Sequence, residues 1–378
     1  MRIIGIVAEY NPFHNGHKYL IDSVKRDGDI VVAVMSGNFV QRGDVAIFDK
    51  STRTAAALCN GVDLVVELPV EASLASAKDF AFSAVETLYK MGVTHLAFGS
   101  ESGDCERIIR AVDAVCDSRV DTALKTHLSC GLTYPTALSR AVSEIYGDDV
   151  CAVIDNPNDT LALEYLLAIK KIGANITPIA IKRKGAMHDK CGENEITSAM
   201  HIRKMILSYD DYSRFVSDNA YELYKNCDFA NLQNAESAVL WQLRQMSADD
   251  FANYDVSCEG LHNRIYNAVQ DAVSIEDLYE KIKTKRYTLA RIKRAVLTAT
   301  LKTHNMKSPY VRVLGFTKSG EMLLKNAKCD VVTSYKTAKK TGYADYFEKV
   351  SKTTDFYALC VNSPQKCGLE LTKSVQKI

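Results

Sequence analysis

The stretch Gly5-Ile6-Val7-Ala8-Glu9-Tyr10-Asn11-Pro12-Phe13-His14-Asn15-Gly16-His17 constrains the chain more than any other. The apolar run Ile3 to Ala8 reads as a buried parallel strand, in which Gly5 admits close approach of another backbone. Asn11-Pro12 ends it, because the residue before a proline is pushed out of the helical region. After Gly16, the residues Tyr19, Leu20 and Val24 share one stripe of an amphipathic helix. His14 and His17 are therefore expected where a strand's carboxyl end meets a helix amino end. Free backbone N–H groups and the helix dipole favour an anion at such a junction. A metal is not expected there, since no carboxylate or cysteine follows at ligand spacing.

The alternation continues. Asp29 to Met35 is apolar enough to be buried on both faces, and it ends in Ser36-Gly37-Asn38. Lys50 to Leu58 reads as a helix with Lys50 and Arg53 on one face. Val62 to Pro69 is a third strand, Phe80 to Met91 a helix, and His95 to Phe98 a fourth strand running into Gly99-Ser100-Glu101. This order predicts an α/β fold, a doubly wound, Rossmann-like parallel sheet with ligands at the strands' carboxyl ends. Asn156-Pro157-Asn158-Asp159 is expected to cap a helix from Thr160 to Lys171, and Ile176 to Ile181 is a fifth strand leading to Lys182-Arg183-Lys184. Ser198 is a good N-cap, which places Arg203 about one turn into the next helix.

From about Asp210 the pattern turns helical, over Glu236 to Met246, Arg264 to Val273 and Ile275 to Ile282, with later strand candidates at Tyr310 to Phe316 and Asp330 to Ser334. The segment Lys281 to Arg294 holds seven basic residues and the aromatic Tyr287. It reads equally well as a solvated helix face or as a stripe for RNA phosphates. The net charge of +1 leaves any nucleic-acid contact to a local patch of this kind. Eleven cysteines, an odd number without a CxxC pair, argue for reduced thiols and a cytoplasmic protein. No run approaches membrane-spanning length, so no membrane association is expected. The residues after Ser363 are expected to be loose.

Taken with Pro12, Phe13 and Gly16, the histidines resemble the HxGH phosphate-binding signature of the nucleotidyltransferase and class I aminoacyl-tRNA synthetase superfamily. With Met35-Ser36-Gly37-Asn38-Phe39, Gly61 to Pro69 and Phe98-Gly99-Ser100-Glu101, the likeness narrows. The chain resembles the bacterial tRNA(Met) cytidine acetate ligase family, most strongly in its first hundred residues and again at Pro157-Asn158, Arg183, Ser198 to Arg203 and Lys283 to Arg294. The resemblance implies a ligase that turns ATP and acetate into acetyl-adenylate and acetylates the wobble cytidine of elongator tRNA(Met). It implies residues 1-209 as the catalytic domain and 210-378 as a mainly helical, basic tRNA-binding region, and it names no protein partner.

Carried over by position, the ATP loop is Val7, Ala8, Glu9, Tyr10, Asn11, Pro12, Phe13, His14, Asn15, Gly16, His17 and Leu20, joined by Gly99, Asn158, Arg183 and Ser198. His14 and His17 are expected to donate to α- and β-phosphate oxygens, and Arg183 and Arg203 to clamp the outer phosphates, with the base face as the alternative for Arg183. His14, His17 and Arg203 are thus the catalytic set, and Lys283, Lys285, Arg286, Arg291, Lys293 and Arg294 the tRNA-binding set. Glu9 is placed to position substrate or Mg²⁺, whereas Asp63 and Glu67 read as structural and a nucleophilic cysteine is disfavoured. The family's Ser-Ala-Thr-Ala-Ile-Arg helix start carries Met200 and His201 here, and Met187 stands where a tyrosine usually precedes His188. Two other readings share parts of this pattern. One is a nucleotidyltransferase acting on a small phosphorylated metabolite, which has no use for the basic segment. The other is a non-catalytic RNA-binding protein with a nucleotide-binding fold.

Overall fold

The computed structural model describes residues 1–184, 195–254, 260–304 and 306–378. Met187 and His188 lie outside the described residues. Strands β1 (Ile3–Ala8), β2 (Ile30–Ser36), β3 (Leu64–Leu68), β4 (His95–Ser100) and β5 (Thr177–Lys182) run parallel, in the spatial order β3-β2-β1-β4-β5. The order reverses at β1, so the crevice at the carboxyl ends of β1 and β4 is the topological switch point where such sheets take ligands.

The helices that shape the site and its flanks are α1 (Asn15–Val24), α2 (Lys50–Leu58), α3 (Ala77–Lys90), α4 (Pro157–Ile172), α5 (Ala199–Leu207) and α6 (Leu289–Leu301). β2 is buried along its whole length, and its side chains alternate between two cores. Val32 and Val34 join Val66, Phe80 and Leu88 on one side, while Val31, Ala33 and Met35 join Ile4, Ile6 and Ile21 on the other. Gly5 is needed for close approach, but what approaches is side chain rather than backbone. A Cβ there would stand 2.8 Å from Val93 Cγ1 and 2.9 Å from Leu88 Cδ1.

The C-terminal region packs its helices around a second core, with Val239, Leu243, Ile265, Leu278 and Ile292, to which Phe39, Val45, Val70 and Leu74 also contribute, and then returns to the sheet. β6 (Val311–Phe316) lies antiparallel against β3, and β7 (Val331–Val332) and β8 (Gln376–Lys377) pair parallel with β6. The segment after Ser363 is thereby tied down rather than loose. Glu370, which is 3% exposed, bonds Lys50 Nζ at 3.0 Å and Arg312 Nη2 at 3.3 Å, and Lys50 also reaches Glu67 at 2.8 Å. Glu67 is structural, as is Asp63, which accepts from Val31 N and pairs with Lys25.

Burial alone would push the Glu370 carboxyl up, but Lys50 and Arg312 outweigh it and hold it down to about 2. A depressed carboxylate adds stability above its ordinary pKa and loses it as pH falls toward the depressed value. Lys50→Met, which leaves Glu67 without its partner and Glu370 with one fewer, is therefore expected to cost about 3–5 kcal/mol at neutral pH. Urea unfolding measures this, and the gap between variant and wild type should narrow in acid.

Candidate active site

The two histidines are held by the helix end they occupy. His14 is the N-cap of α1, and its Nδ1 accepts the Gly16 N–H at 3.0 Å. His17 Nδ1 accepts the His14 N–H at 3.2 Å, which makes the pair a reciprocal capping box. Gly16 is required for this geometry, because a Cβ there would meet His14 Cε1 at 2.8 Å. With each Nδ1 engaged as an acceptor, the proton of each neutral ring resides on Nε2. The ring centroids are 3.9 Å apart. Burial lowers the His14 pKa to about 3, helped by Arg183 and Arg203, and burial with the His14 neighbour lowers His17 well below its ordinary value. Two neutral Nε2–H donors therefore stand side by side at neutral pH.

The loop before them is tied on every side. Asn11 Oδ1 accepts from Ile47 N at 2.8 Å, Asn11 O accepts from Arg203 Nη1 at 2.7 Å, and Phe13 N donates to Tyr224 Oη at 3.1 Å. Arg203 thus spends one arm of its fork on the loop backbone rather than offering both to phosphate. Ser198 caps α5 by accepting from His201 N at 3.2 Å, as the sequence suggests. Pro12 belongs to a cis Asn11-Pro12 peptide, and Asn15 turns away to the carbonyls of Glu195 and Arg214.

Val7, Ala8, Glu9, Tyr10, Asn11, His14, Gly16, His17 and Leu20 line one cavity of about 450 Å³, together with Gly99, Asn158, Arg183, Ser198 and Arg203. Phe13 stands behind it, fully buried against Tyr10 and His17. On the β4 side, Arg183 Nη1 donates to Asn158 Oδ1 at 3.0 Å, and a Cβ on Gly99 would crowd Arg183 Cγ at 3.2 Å. This wall is fixed by Glu101, whose carboxylate accepts from the backbone N–H groups of Asn158 and Asp159 at 3.2 and 2.9 Å. Asn156 makes no side-chain cap, so the expected capping role passes to Glu101 from the adjoining strand end.

The same cavity takes in Gln41, Arg42, Ala77, Phe80, Tyr165 and Lys182, which sequence reasoning did not single out. Arg53, which the sequence shows only as sharing a helix face with Lys50, is fully buried and donates to the carbonyls of Phe48 (2.9 Å), Glu9 (2.6 Å), Ser36 (3.0 Å) and Gly37. A signal was present: Arg53 lies on the same helical face as Ala56 and Ala57, both buried.

The basic stretch divides into two parts. Lys283, Lys285 and Arg286 lie exposed in the segment before α6. Arg291 and Arg294 line a second cleft of about 760 Å³, between α6 and α3. Lys293 stands 4.0 Å from Asp44, and Arg294 donates to Gln41 O at 3.3 Å. Gly43 lies flat on this helix, where a Cβ would meet Arg294 N at 2.5 Å. The basic helix therefore abuts a loop that itself lines the cavity. Among the described residues, no group of three His, Cys, Asp or Glu side chains is placed to hold a metal, and no helix is long and apolar enough to cross a membrane.

A cradle of backbone amides and neutral imidazole donors beside two arginines suits a triphosphate, and the comparisons agree. Residues 1–370 match the family model described as HIGH Nucleotidyl Transferase. A Thermoanaerobacter tRNA(Met) cytidine acetate ligase is 34% identical over 405 residues and covers 100% of both chains. The Caldanaerobacter subterraneus protein of the same name is 37% identical over 388 residues, with 95% of each chain covered. The crystal structure of Thermotoga maritima TmcAL bound with alpha-thio ATP superposes with a TM-score of 0.89 at 30% identity, covering 100% of this chain and 99% of that one. The chain belongs to the tRNA(Met) cytidine acetate ligase family of HIGH nucleotidyltransferases.

Proposed function

We propose that this protein activates acetate with ATP and transfers the acetyl group to the wobble cytidine of elongator tRNA(Met). The observation that carries the reading is the pair of adjacent Nε2–H donors at the α1 amino end, beside Arg203 and Arg183. An acetate oxygen attacks the α-phosphorus, the bond to the bridging oxygen breaks, and pyrophosphate leaves with the electron pair. Charge growing on the phosphate oxygens is met by His14 and His17 Nε2–H, by the second arm of Arg203, and by the N-terminal dipole of α1. Such catalysis is positioning and charge stabilisation, with little covalent work for the protein. Gly99, Asn158 and Arg183 form the wall that suits the nucleoside end of ATP. Mg²⁺ would enter with the triphosphate. Residues 1–209 supply the nucleotide site, and 210–378 supply the basic surface while also closing the sheet. The two other readings lose ground because relatives matched along 95–100% of their length carry the acetate ligase name. The described cysteines are free thiols, which suits the cytoplasm, where ATP and tRNA are found.

The test is mass spectrometry of tRNA nucleosides after incubation with ATP and labelled acetate. One acetylcytidine in elongator tRNA(Met) is the expected product, and unmodified tRNA would overturn the reading. For the tRNA surface, joint charge reversal of Lys285, Arg286 and Arg291 to glutamate should weaken tRNA binding about tenfold or more. It should also flatten the salt dependence, because fewer counterions are released. Pyrophosphate exchange, which needs no tRNA, should change far less. Unaltered tRNA affinity would mark the segment as a solvated face.

A further inference from the structure

The second half of the reaction needs a proton acceptor. A cytosine exocyclic amine that becomes an amide gives up one proton as its nitrogen attacks the acetyl carbon. The bases available at the cavity are few. The Nδ1 atoms of His14 and His17 are occupied by backbone N–H donors, and protonating either one removes a cap of α1. Arginine and lysine side chains are hydrogen-bond donors with no acceptor to offer. Among the described residues lining the cavity, Glu9 is the one carboxylate.

Its surroundings fit the task. Glu9 follows the carboxyl end of β1, beside Arg42 and Gln41 at the cavity wall. One oxygen, Oε1, accepts the Gln41 N–H at 2.7 Å, which fixes the carboxylate. The other, Oε2, has no hydrogen-bond partner among the described residues, and Glu9 lies in no ion pair among them. The groups facing it are Arg203 from α5, Arg42 from the loop and Arg53 from α2, and Tyr165 of α4 feels its charge. Burial, the largest influence, raises its pKa, with the Gln41 N–H and the arginines opposing. A base whose pKa moves toward the working pH both accepts a proton effectively and stays ionised. The Gln41 loop that holds Oε1 is itself braced by Arg294 of α6, so one residue links the carboxylate to the basic helix. A glutamate oxygen is also the natural acceptor for a cytosine N4–H.

We infer that Glu9 is the proton acceptor for acetyl transfer, its Oε2 receiving the hydrogen of the cytidine amine. The inference rests on the acetate ligase reading. The amine lone pair forms the C–N bond, and the bond between the acetyl carbon and the AMP oxygen breaks, with AMP taking the electron pair. One N–H proton moves to Glu9 Oε2 and later to water.

Two assays on the intact protein test this: acetate-dependent pyrophosphate exchange, and acetyl transfer to tRNA, each across about pH 5 to 9. Wild-type transfer should rise with pH through an acid limb above the ordinary carboxylate range, since the base must be ionised. Glu9→Gln should slow transfer about a hundredfold or more beyond any change in exchange, and the acid limb should vanish. Glu9→Asp should keep the limb and recover part of the rate. Equal losses in both assays with an unchanged transfer profile would overturn the proposal and leave Glu9 a nucleotide-positioning residue. If Glu9→Gln does not fold or bind ATP, the Glu9→Asp profile decides: a limb that stays where it is in wild type with full rate speaks against Glu9. Wild-type protein whose pyrophosphate exchange does not depend on acetate would overturn the acetate ligase reading itself, and this proposal with it.

Discussion

His17→Ala is expected to cut acetate-dependent pyrophosphate exchange about a hundred- to thousandfold, the usual result of removing one preorganised donor from a developing charge. The variant removes two things at once: the Nε2–H and the Nδ1 acceptor that caps the His14 N–H. Losing the cap alone costs about 1 kcal/mol of stability. His17→Asn separates the two, because its Oδ1 stands close to where Nδ1 was and can still cap, while nothing replaces Nε2–H. The expected outcome is near-native stability with a rate as low as that of alanine. A His17→Asn enzyme exchanging at the wild-type rate would assign His17 to helix capping alone. Because burial holds both rings neutral, with His14 at about 3, exchange should stay flat from about pH 6 to 8. The acid limb assigned to Glu9 then belongs to transfer, so the two steps are distinguishable by pH.

The second large effect is on stability. Arg53→Met should destabilise the protein by about 3–5 kcal/mol. The guanidinium is fully buried and its burial lowers its own pKa, yet all three of its nitrogens are used, on four carbonyls from the turns after β1 and β2 and from the residues before α2. Methionine fills similar space and leaves those carbonyls without their donors. Lysine should rescue little, since its point charge cannot reproduce a planar fork. Urea denaturation reads the difference, and isothermal titration should show weakened ATP binding because Glu9, whose carbonyl Arg53 holds, lines the cavity. A loss under about 1 kcal/mol would mean that water or backbone shifts satisfy these carbonyls.

The first strand, its proline stop and the following helix could be read from local pattern, and so could α2, whose bounds Lys50 and Leu58 coincide with the expected ones. These elements declare themselves through neighbours in sequence: periodic apolar residues, a cap, a breaker. Arg203 was placed through Ser198 in the same way. What stayed hidden depends on partners far along the chain. Glu101 caps α4, Arg53 fastens two turns, and Glu370 closes on Lys50, so the C-terminal segment becomes part of the sheet. The docking of α6 on Gly43 is of the same kind, since no local pattern tells which helix a glycine's bare face will meet. Glu9 shows both sides. Its position at the strand end was legible, but the Gln41 N–H that orients it and the arginines around it come from elsewhere in the fold.

The central claim is that acetate attacks the α-phosphorus of a triphosphate held at the paired imidazoles. Turnover with acetate carrying heavy oxygen in its carboxylate tests it most directly. AMP bearing one labelled oxygen, with the other retained in the acetyl group on the tRNA, is the predicted result. Unlabelled AMP, or label appearing in inorganic phosphate, would contradict it.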